Sequence, residues 1–226
     1  MKQLVVHEAG SLLHVDTIQA LGKIPIDINL LKADLTTLSA HKIGGPKGVG
    51  AVVLVEDVQG LEPLLRGGGQ ELGRRAGTEN VAGIAAFGAA TKAAIAALPD
   101  DSTRLGALRD RLERGLKQTV GTIVFSEETP RLPNTTLFTV PGLKAETAVI
   151  GFDLAGIAVS SGSACSSGKV QPSHVLDAMG FPQDLAQGAV RLSLGWSTSE
   201  TEIDLTLEAW RKLADGLLRG QRRNTA

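Results

Sequence analysis

The chain has 226 residues, a formal net charge of −1, 42% hydrophobic and 21% charged residues, which is ordinary for a globular protein. No basic face is present, which argues against a direct nucleic-acid partner, and the single cysteine excludes an intramolecular disulfide and a cysteine-rich zinc site. We see no apolar run of membrane-spanning length and no signal peptide, so we expect a cytoplasmic protein without a membrane partner.

The first hundred residues alternate between predicted helices and strands. A helix over residues 2 to 9 precedes the strand "SLLHVD", which ends on Asp16, and the turn "TIQALGKI" follows. The strand "LTTLSA" leads directly into His41 and Lys42, and the Val-rich "GVGAVVLVE" is typical of a strand buried on both faces of a parallel sheet. This alternation predicts an α/β fold with a ligand site beyond the carboxyl ends of the strands.

Asp16 and Lys42 both stand at such strand ends. Most lysines are surface residues, and that is the ordinary interpretation of Lys42; the other is a lysine held in a pocket for covalent chemistry. Further along, glycines 67 to 69 mark a loop, and Thr78 is predicted to cap the Ala-rich helix that follows. A Gly-Thr loop that opens a helix suits a phosphate, although most capping threonines only cap.

A second domain is predicted to begin at Pro99, which divides the chain into residues 1–98 and 99–226. Its predicted elements are a helix after Pro99, strands "GTIVFS" and "TTLFTV", a helix near "AETAVIGFDLAG", and strands "IAVSSG" and "AVRLSLGWS". Arg191 stands amid apolar neighbours, where an unpaired guanidinium would be costly unless it joins an ion pair or binds a ligand. Ser199 and Glu202 form a capping box at the start of the last helix.

Cys165 lies between these last two strands in "SGSACSSGK", where seven of nine residues are Ser, Gly or Ala. A lone cysteine is most often a small buried hydrophobe. This segment cannot pack a core and is expected to be mobile, so a buried structural role is disfavoured. Together, a strand-end lysine and carboxylate, a phosphate loop, an arginine and a loop thiol are the parts of a pyridoxal phosphate (PLP) enzyme that acts on an amino acid.

Four segments carry a family resemblance: "HVDTIQALGKIPID", "SAHKIGGPKGVGA", "GGGQELGRRAGTENVAGI" and "SSGSACSSGKVQPSHVLDAMG". They resemble the C-terminal portion of a group I (Nif/Isc-type) cysteine desulfurase, a class V aminotransferase of PLP fold type I. The resemblance runs from about His7 to Asp204. It makes residues 1–98 the C-terminal part of the PLP-binding large domain and residues 99–226 the small α+β domain that carries the cysteine loop.

The resemblance also implies a role for each site residue. Lys42 would be the Schiff-base lysine and Cys165 the catalytic cysteine, with Arg191 holding the substrate carboxylate. The other cofactor contacts implied are Asp16 to the pyridine nitrogen, Gln19 to the ring hydroxyl, Ser39 and His41 to the phosphate, and Thr78 to the phosphate in the partner subunit of a homodimer.

The implied reaction removes sulfur from L-cysteine, leaves L-alanine and forms a persulfide on Cys165. The mobile loop would carry that sulfur to an acceptor, such as a scaffold protein for iron–sulfur clusters. No firm metal site is implied, although an exposed Cys165 thiolate could transiently ligate a cluster.

The family's chain extends further at its N-terminus, where it supplies other cofactor contacts and several strands of the sheet. Two alternatives therefore stay open. One is a selenocysteine lyase or another class V PLP enzyme, which substrate comparison would distinguish. The other is a truncated, non-catalytic fragment that dimerises or docks a sulfur acceptor.

Overall fold

The computed structural model describes residues 2–55, 58, 61–162 and 173–224. It divides into two compact units, Met1–Asp100 and Asp101–Ala226, which we call the first and second units. Cys165 and most of its Ser/Gly-rich segment lie outside the described residues.

The first unit contains a three-stranded sheet in the order β1-β2-β3. Its elements are α1 Lys2–Glu8, β1 His14–Asp16, α2 Ile28–Leu31, β2 Leu35–Ser39, a 3₁₀ helix Ala40–Ile43, β3 Gly50–Leu54, a second 3₁₀ helix Gln70–Gly73 and the start of α3 Val81–Leu116. β1 and β2 run parallel and β3 is antiparallel to β2. The sheet places the ends of β1 and β2, where the predicted site residues begin, at one edge.

The prediction of β3 as a parallel strand buried on both faces is wrong. β3 is antiparallel, and its Val52 side chain is 57% exposed. The connection from β2 to β3 covers residues 40–49 only, whereas a parallel crossover needs a dozen or more residues. A Val-rich run indicates a strand but does not determine its direction.

The helix α3 differs from its prediction at its N-terminal cap and at Pro99. Its start is capped by Asn80, whose side-chain Oδ1 accepts a hydrogen bond from the Gly83 backbone N–H at 3.1 Å, and not by Thr78. The helix also continues through Pro99 instead of starting anew there. A proline lacks the amide donor of one helical turn, yet helices tolerate that loss at the cost of some stability.

By length and composition alone, α3 is long and apolar enough to cross a membrane, and 6% of its apolar 18-residue window is buried. The expectation that no apolar run has this length is therefore wrong for α3. The apolar run is difficult to recognise in the sequence because Lys92 interrupts it and because a helix break is predicted at Pro99.

The second unit contains a four-stranded antiparallel sheet in the order β4-β5-β7-β6. After α3, its elements are β4 Ile123–Val124, β5 Thr135–Thr139, α4 Ala145–Leu154, β6 Ser160–Ser161, α5 His174–Ala178, α6 Gln183–Gln187, β7 Val190–Ser193 and α7 Glu200–Asn224. The helix α7 packs on α4 and closes the main core of this unit.

Trp210 of α7 is the centre of that core. It is fully buried, makes an edge-on contact with Phe138 at a ring distance of 4.9 Å, and lies nearly parallel to Phe152 at 6.3 Å. The indole N–H donates to the Thr119 hydroxyl at 3.0 Å, so the one polar atom of the ring is satisfied. This geometry fixes α7 against the sheet that carries Arg191.

Candidate active site

The parallel pairing of β1 and β2 brings Asp16 to the edge at which β2 ends. Asp16, the last residue of β1, pairs with Thr37, and Ser39 ends β2 two residues later. Because both strands run in the same direction, their carboxyl ends lie side by side. A carboxylate and the chain leading to Lys42 therefore meet at one edge of the sheet.

His41 and Lys42 are presented by the 3₁₀ helix Ala40–Ile43. Ala40 is fully buried, and its backbone N–H donates to the Val49 carbonyl at 3.0 Å, which anchors the start of this helix. Gly44 ends it with a φ of 81°, a conformation that glycine adopts without a Cβ clash. A Cβ on Gly45 would lie 3.0 Å from the Ala40 carbonyl oxygen, so the glycine pair permits this tight turn.

Ser39 and His41 form a polar pair beside Lys42. The Ser39 Oγ and the His41 Nδ1 are 2.8 Å apart, and the direction of the hydrogen bond depends on the imidazole tautomer. Both His41 and Lys42 are exposed in this chain. The pair offers a hydroxyl and an imidazole to an anion that approaches the sheet edge.

Asp16 uses one carboxylate oxygen to hold the following turn. Its Oδ1 accepts a hydrogen bond from the Ile18 backbone N–H at 2.9 Å, a local motif that fixes the side chain. The other oxygen has no hydrogen-bond partner among the described residues. Gln19 lies exposed in the same turn, three residues after Asp16.

Thr78 lies in the segment between the 3₁₀ helix Gln70–Gly73 and α3, and it is exposed. Its backbone carbonyl and that of Gly77 each accept a hydrogen bond from the Arg75 guanidinium at 3.3 Å. The Thr78 hydroxyl is therefore on a braced loop rather than on a helix cap.

Arg191 occupies the middle of the second unit's sheet. It pairs with Leu137 of β5 on one side and Ser160 of β6 on the other. Its Nη2 donates to the Ser160 Oγ at a long 3.4 Å, while its buried Nε has no hydrogen-bond partner. Among the described residues Arg191 makes no ion pair, so a structural ion pair does not account for its charge, and an unpaired buried guanidinium N–H suits an incoming carboxylate.

The segment that contains Cys165 begins beside Arg191. Ser161 pairs with Val190, and the Gly162 backbone N–H donates to the Ala189 carbonyl at 2.7 Å. The described chain resumes at Ser173, whose hydroxyl accepts a hydrogen bond from the Leu176 N–H at the start of α5. Cys165 itself lies outside the described residues, so its predicted role stays a prediction.

Lys23 is a site neighbour that sequence reasoning did not single out. Its Nζ donates to the Lys42 backbone carbonyl at 3.2 Å. Burial, and then the nearby positive charge of Lys42, hold the pKa of Lys23 below its ordinary value. A lysine in a predicted turn has no sequence signal that separates it from an ordinary surface lysine.

Comparison with known proteins assigns the chain to a family. The model of the "Aminotransferase class-V" family matches residues 1–206, which is most of the sequence. The chain belongs to the class-V aminotransferases. The match includes Asp16, the Ser39–Lys42 segment and Arg191.

Relatives of this class-V aminotransferase include proteins named cysteine desulfurases. The one from Gluconacetobacter diazotrophicus is 45% identical over 205 residues, which are 90% of this chain and 51% of that protein. "Cysteine desulfurase IscS" of Clostridium botulinum is 41% identical over 203 residues, 88% of this chain and 51% of that protein. The chain thus spans about half the length of the curated relatives it matches.

A solved structure confirms the predicted fold. The NifS-like protein of Rickettsia africae matches with a TM-score of 0.86 and 36% identity, over 94% of this chain and 56% of that chain. The α/β class, with part of a fold type I transferase, is therefore correct. Within it, the first unit's sheet is mixed rather than mostly parallel among the described strands.

The donor set of the first unit fits pyridoxal phosphate. The free oxygen of Asp16 can hold a protonated ring nitrogen, and the Lys42 amine is placed at the same edge for a covalent link to an aldehyde. The Ser39–His41 pair supplies donors for a phosphate. These residues come together in the first unit, whereas Arg191 belongs to the second.

Proposed function

We propose that this class-V aminotransferase acts as a cysteine desulfurase, which removes sulfur from L-cysteine, forms L-alanine and leaves a persulfide on Cys165. The observation that carries the proposal is the placement of Asp16 and Lys42 at one edge of the parallel β1–β2 pair. Relatives of about 45% identity that bear this name support it.

Pyridoxal phosphate, when bound, supplies an electron sink for the α-carbon of the amino acid. In the proposal, Lys42 holds the cofactor through its amine and afterwards carries protons at Nζ. The roles of the remaining contacts are those that the resemblance implies: Asp16 for the ring nitrogen, Gln19 for the ring hydroxyl, and Ser39, His41 and Thr78 for phosphate oxygens.

Arg191 and Cys165 act on the substrate in this proposal. The Arg191 guanidinium binds the α-carboxylate, and its Nε–H, which has no hydrogen-bond partner among the described residues, supports this role. The Cys165 thiolate attacks the substrate sulfur, so that an S–S bond forms and the carbon–sulfur bond breaks. The resulting persulfide is passed to a sulfur acceptor, such as an iron–sulfur scaffold protein, and the same sulfur atom is the point at which Cys165 would transiently ligate a cluster.

The proposal extends to the domains and the assembly. Residues 1–98 form the C-terminal part of the cofactor domain, and residues 99–226 form the small domain with the thiol loop; the division of the chain at residues 100 and 101 supports this. The protein forms a homodimer in the cytoplasm, in which Thr78 reaches the partner subunit's cofactor phosphate. Its exposed position on a braced loop supports that role.

The decisive experiment measures cofactor binding and sulfur release on the full chain. We expect an absorbance band on addition of pyridoxal phosphate and, after borohydride reduction, an adduct located on Lys42 by mass spectrometry. With L-cysteine and dithiothreitol, sulfide release is expected from the wild type and is lost in Cys165→Ser, while that variant keeps the Lys42 adduct. Sulfide release that persists in Cys165→Ser would contradict the proposed mechanism.

A docking role without catalysis is the second candidate, and the exposed apolar surface of the first unit favours it. Leu64 and Leu72 are 97% and 91% exposed, as in a surface that packs against another polypeptide. The adduct measurement, combined with a binding assay against an iron–sulfur scaffold protein, separates the two candidates: a chain that forms no Lys42 adduct yet binds the scaffold protein has the docking role alone. Selenocysteine in place of cysteine tests the selenocysteine lyase alternative.

A further inference from the structure

Lys23 joins the two chain segments of the first unit that carry the proposed cofactor contacts. It lies at the end of the turn that follows Asp16, where its backbone N–H donates to the Ala20 carbonyl at 3.0 Å. Its side chain crosses to the 3₁₀ helix Ala40–Ile43, where Nζ donates to the Lys42 carbonyl at 3.2 Å. The hydrogen bond therefore links the Asp16 turn to the residue that bears the reactive amine.

The close approach of Gly22 to Ile43 also brings the Asp16 turn against the 3₁₀ helix Ala40–Ile43. Gly22 has a φ of 71°, and a Cβ at this position would lie 3.1 Å from the Ala94 Cβ and 3.3 Å from the Ile43 Cγ2. The turn thus packs directly against the helix that carries Lys42. Glycine both permits the backbone conformation and allows this close approach, which aims the next residue, Lys23, at the Lys42 carbonyl.

The Lys42 carbonyl is a group that needs a donor from outside its own helix. The last carbonyls of a helix have no intrahelical partner, and a lysine side chain near the C-terminus can donate a hydrogen bond to them. Gly44 turns the chain away immediately afterwards. The Lys23 ammonium is the side-chain donor that the described residues bring to this oxygen.

We infer that Lys23 is a positioning residue for Lys42: its ammonium fixes the backbone of the amine-bearing helix against the Asp16 turn. This role rests on the proposed function, because it serves the link between Lys42 and pyridoxal phosphate. Lys23 itself touches neither the cofactor nor the substrate in this role.

The first test observes Lys23 without any cofactor. Lysine amines of the full chain are ¹³C-dimethylated and titrated by NMR, and the Lys23 signal is assigned by its loss in Lys23→Met. Since the Lys42 charge lowers the pKa of Lys23, Lys42→Met is expected to raise the titration midpoint of Lys23. Lys92→Met, which removes an exposed lysine of α3, is expected to leave that midpoint unchanged; an unmoved midpoint in Lys42→Met overturns the inference.

The second test measures how fast Lys42 forms its borohydride-trapped adduct with pyridoxal phosphate. Lys23→Met keeps the aliphatic stem but loses the donor, and we expect trapping about tenfold slower, as for the loss of one hydrogen bond from a charged group. Lys23→Arg keeps a charged donor and is expected to recover most of the rate, whereas a purely structural role would slow both variants alike. Equal rates in the wild type and Lys23→Met also overturn the inference.

The two tests separate this inference from the proposed function. If no variant, the wild type included, forms an adduct on Lys42, the proposed function fails, and the NMR titration decides whether Lys23 and Lys42 are neighbours. If the adduct forms and the Lys23 variants behave as the wild type does, the proposed function stands and the role of Lys23 is rejected.

Discussion

In the second unit, sixteen buried hydrophobic residues form one cluster around Trp210, whereas the cluster in the described part of the first unit has three: Leu21, Ala40 and Phe87. Among the described residues, the first unit also exposes more large apolar side chains than the second, among them Leu64 and Leu72, on a chain that spans about half the length of its curated relatives.

The difference shows that the interactions that position the candidate site are not those that stabilise a folded unit. The 3₁₀ helix of Lys42 is positioned by hydrogen bonds over short distances, from Ala40 to Val49 and from Lys23 to Lys42. Those bonds need few apolar neighbours. Stability, in contrast, depends chiefly on apolar burial, which is concentrated in the second unit. The proposed cofactor contacts thus lie on the less completely buried unit.

The largest effect is expected from Trp210→Ala. Removing this fully buried ring leaves a cavity between Phe138 and Phe152, and we expect a loss of about 4 kcal/mol in the free energy of unfolding of the second unit. Guanidinium denaturation followed by circular dichroism measures it. Trp196→Ala is the matched control within the same unit, because Trp196 is 76% exposed; equal losses in both variants would contradict the view that burial around Trp210 stabilises the second unit.

The next largest effect is expected from a buried ion pair of the second unit, which can be compared with a more exposed pair of the first. Arg131 binds the 5%-exposed Glu113 with both Nη atoms, at 2.6 and 3.0 Å. Glu113→Gln is expected to cost about 3 kcal/mol, since it leaves the guanidinium without its charge partner. In the first unit, Asp34→Asn breaks the more exposed pair with His7 and is expected to cost less.

The loss of unfolding free energy expected from Glu113→Gln depends on pH in a defined direction. Burial alone would raise the pKa of Glu113, but the hydrogen bonds and charge of Arg131 outweigh it and hold the pKa below its ordinary value. The stabilisation is therefore fully present above the pKa of an unfolded Glu carboxyl and is lost as the pH falls through the lowered folded pKa. Denaturation of the wild type and Glu113→Gln from neutral to acid pH should show their difference shrinking; a difference that grows on acidification would contradict the assigned direction.

The smallest effect on stability is expected on the exposed apolar surface. Leu64→Gln should change the free energy of unfolding by less than about 0.5 kcal/mol, because Leu64 is 97% exposed. It should nevertheless reduce self-association in sedimentation velocity, since it removes exposed apolar area. Leu154→Gln alters an 83%-exposed leucine of the second unit and should leave association unchanged; the reverse result would place the associating surface on the second unit.

Patterns with a local physical cause were predictable from the sequence. The capping box is confirmed, with the Ser199 N–H donating to Glu202 at 2.8 Å and the Glu202 N–H donating to the Ser199 hydroxyl at 3.3 Å. In the last helix, apolar residues recur at helical spacing at Ile203, Leu207, Trp210, Leu213 and Leu217, which predicts one buried face. Ile203, Leu207 and Trp210 are buried and Leu213 is half-buried, whereas the Leu217 side chain lies outside the described part of the structure. In each case, neighbours along the chain determine the outcome.

Predictions that depend on distant or competing partners were less accurate. The direction of β3 depends on the length of a connection, and the cap of α3 on a competition that Asn80 wins over Thr78. Pro99 did not end its helix. Lys23 could not be predicted because its carbonyl acceptor lies 19 residues away and belongs to the backbone, which carries no sequence signature.

The pairing of β6 with β7 has a consequence for specificity. Among the described residues, two pairs define this ladder, Ser160 with Arg191 and Ser161 with Val190. Because side chains alternate between the faces of a sheet, a slip of β6 by one residue would turn the Ser160 hydroxyl to the face opposite the Arg191 guanidinium and shift the start of the cysteine segment by one position. The ladder therefore fixes the register between Arg191, which we propose to bind the substrate carboxylate, and Ser161, the last paired residue before the segment that contains Cys165.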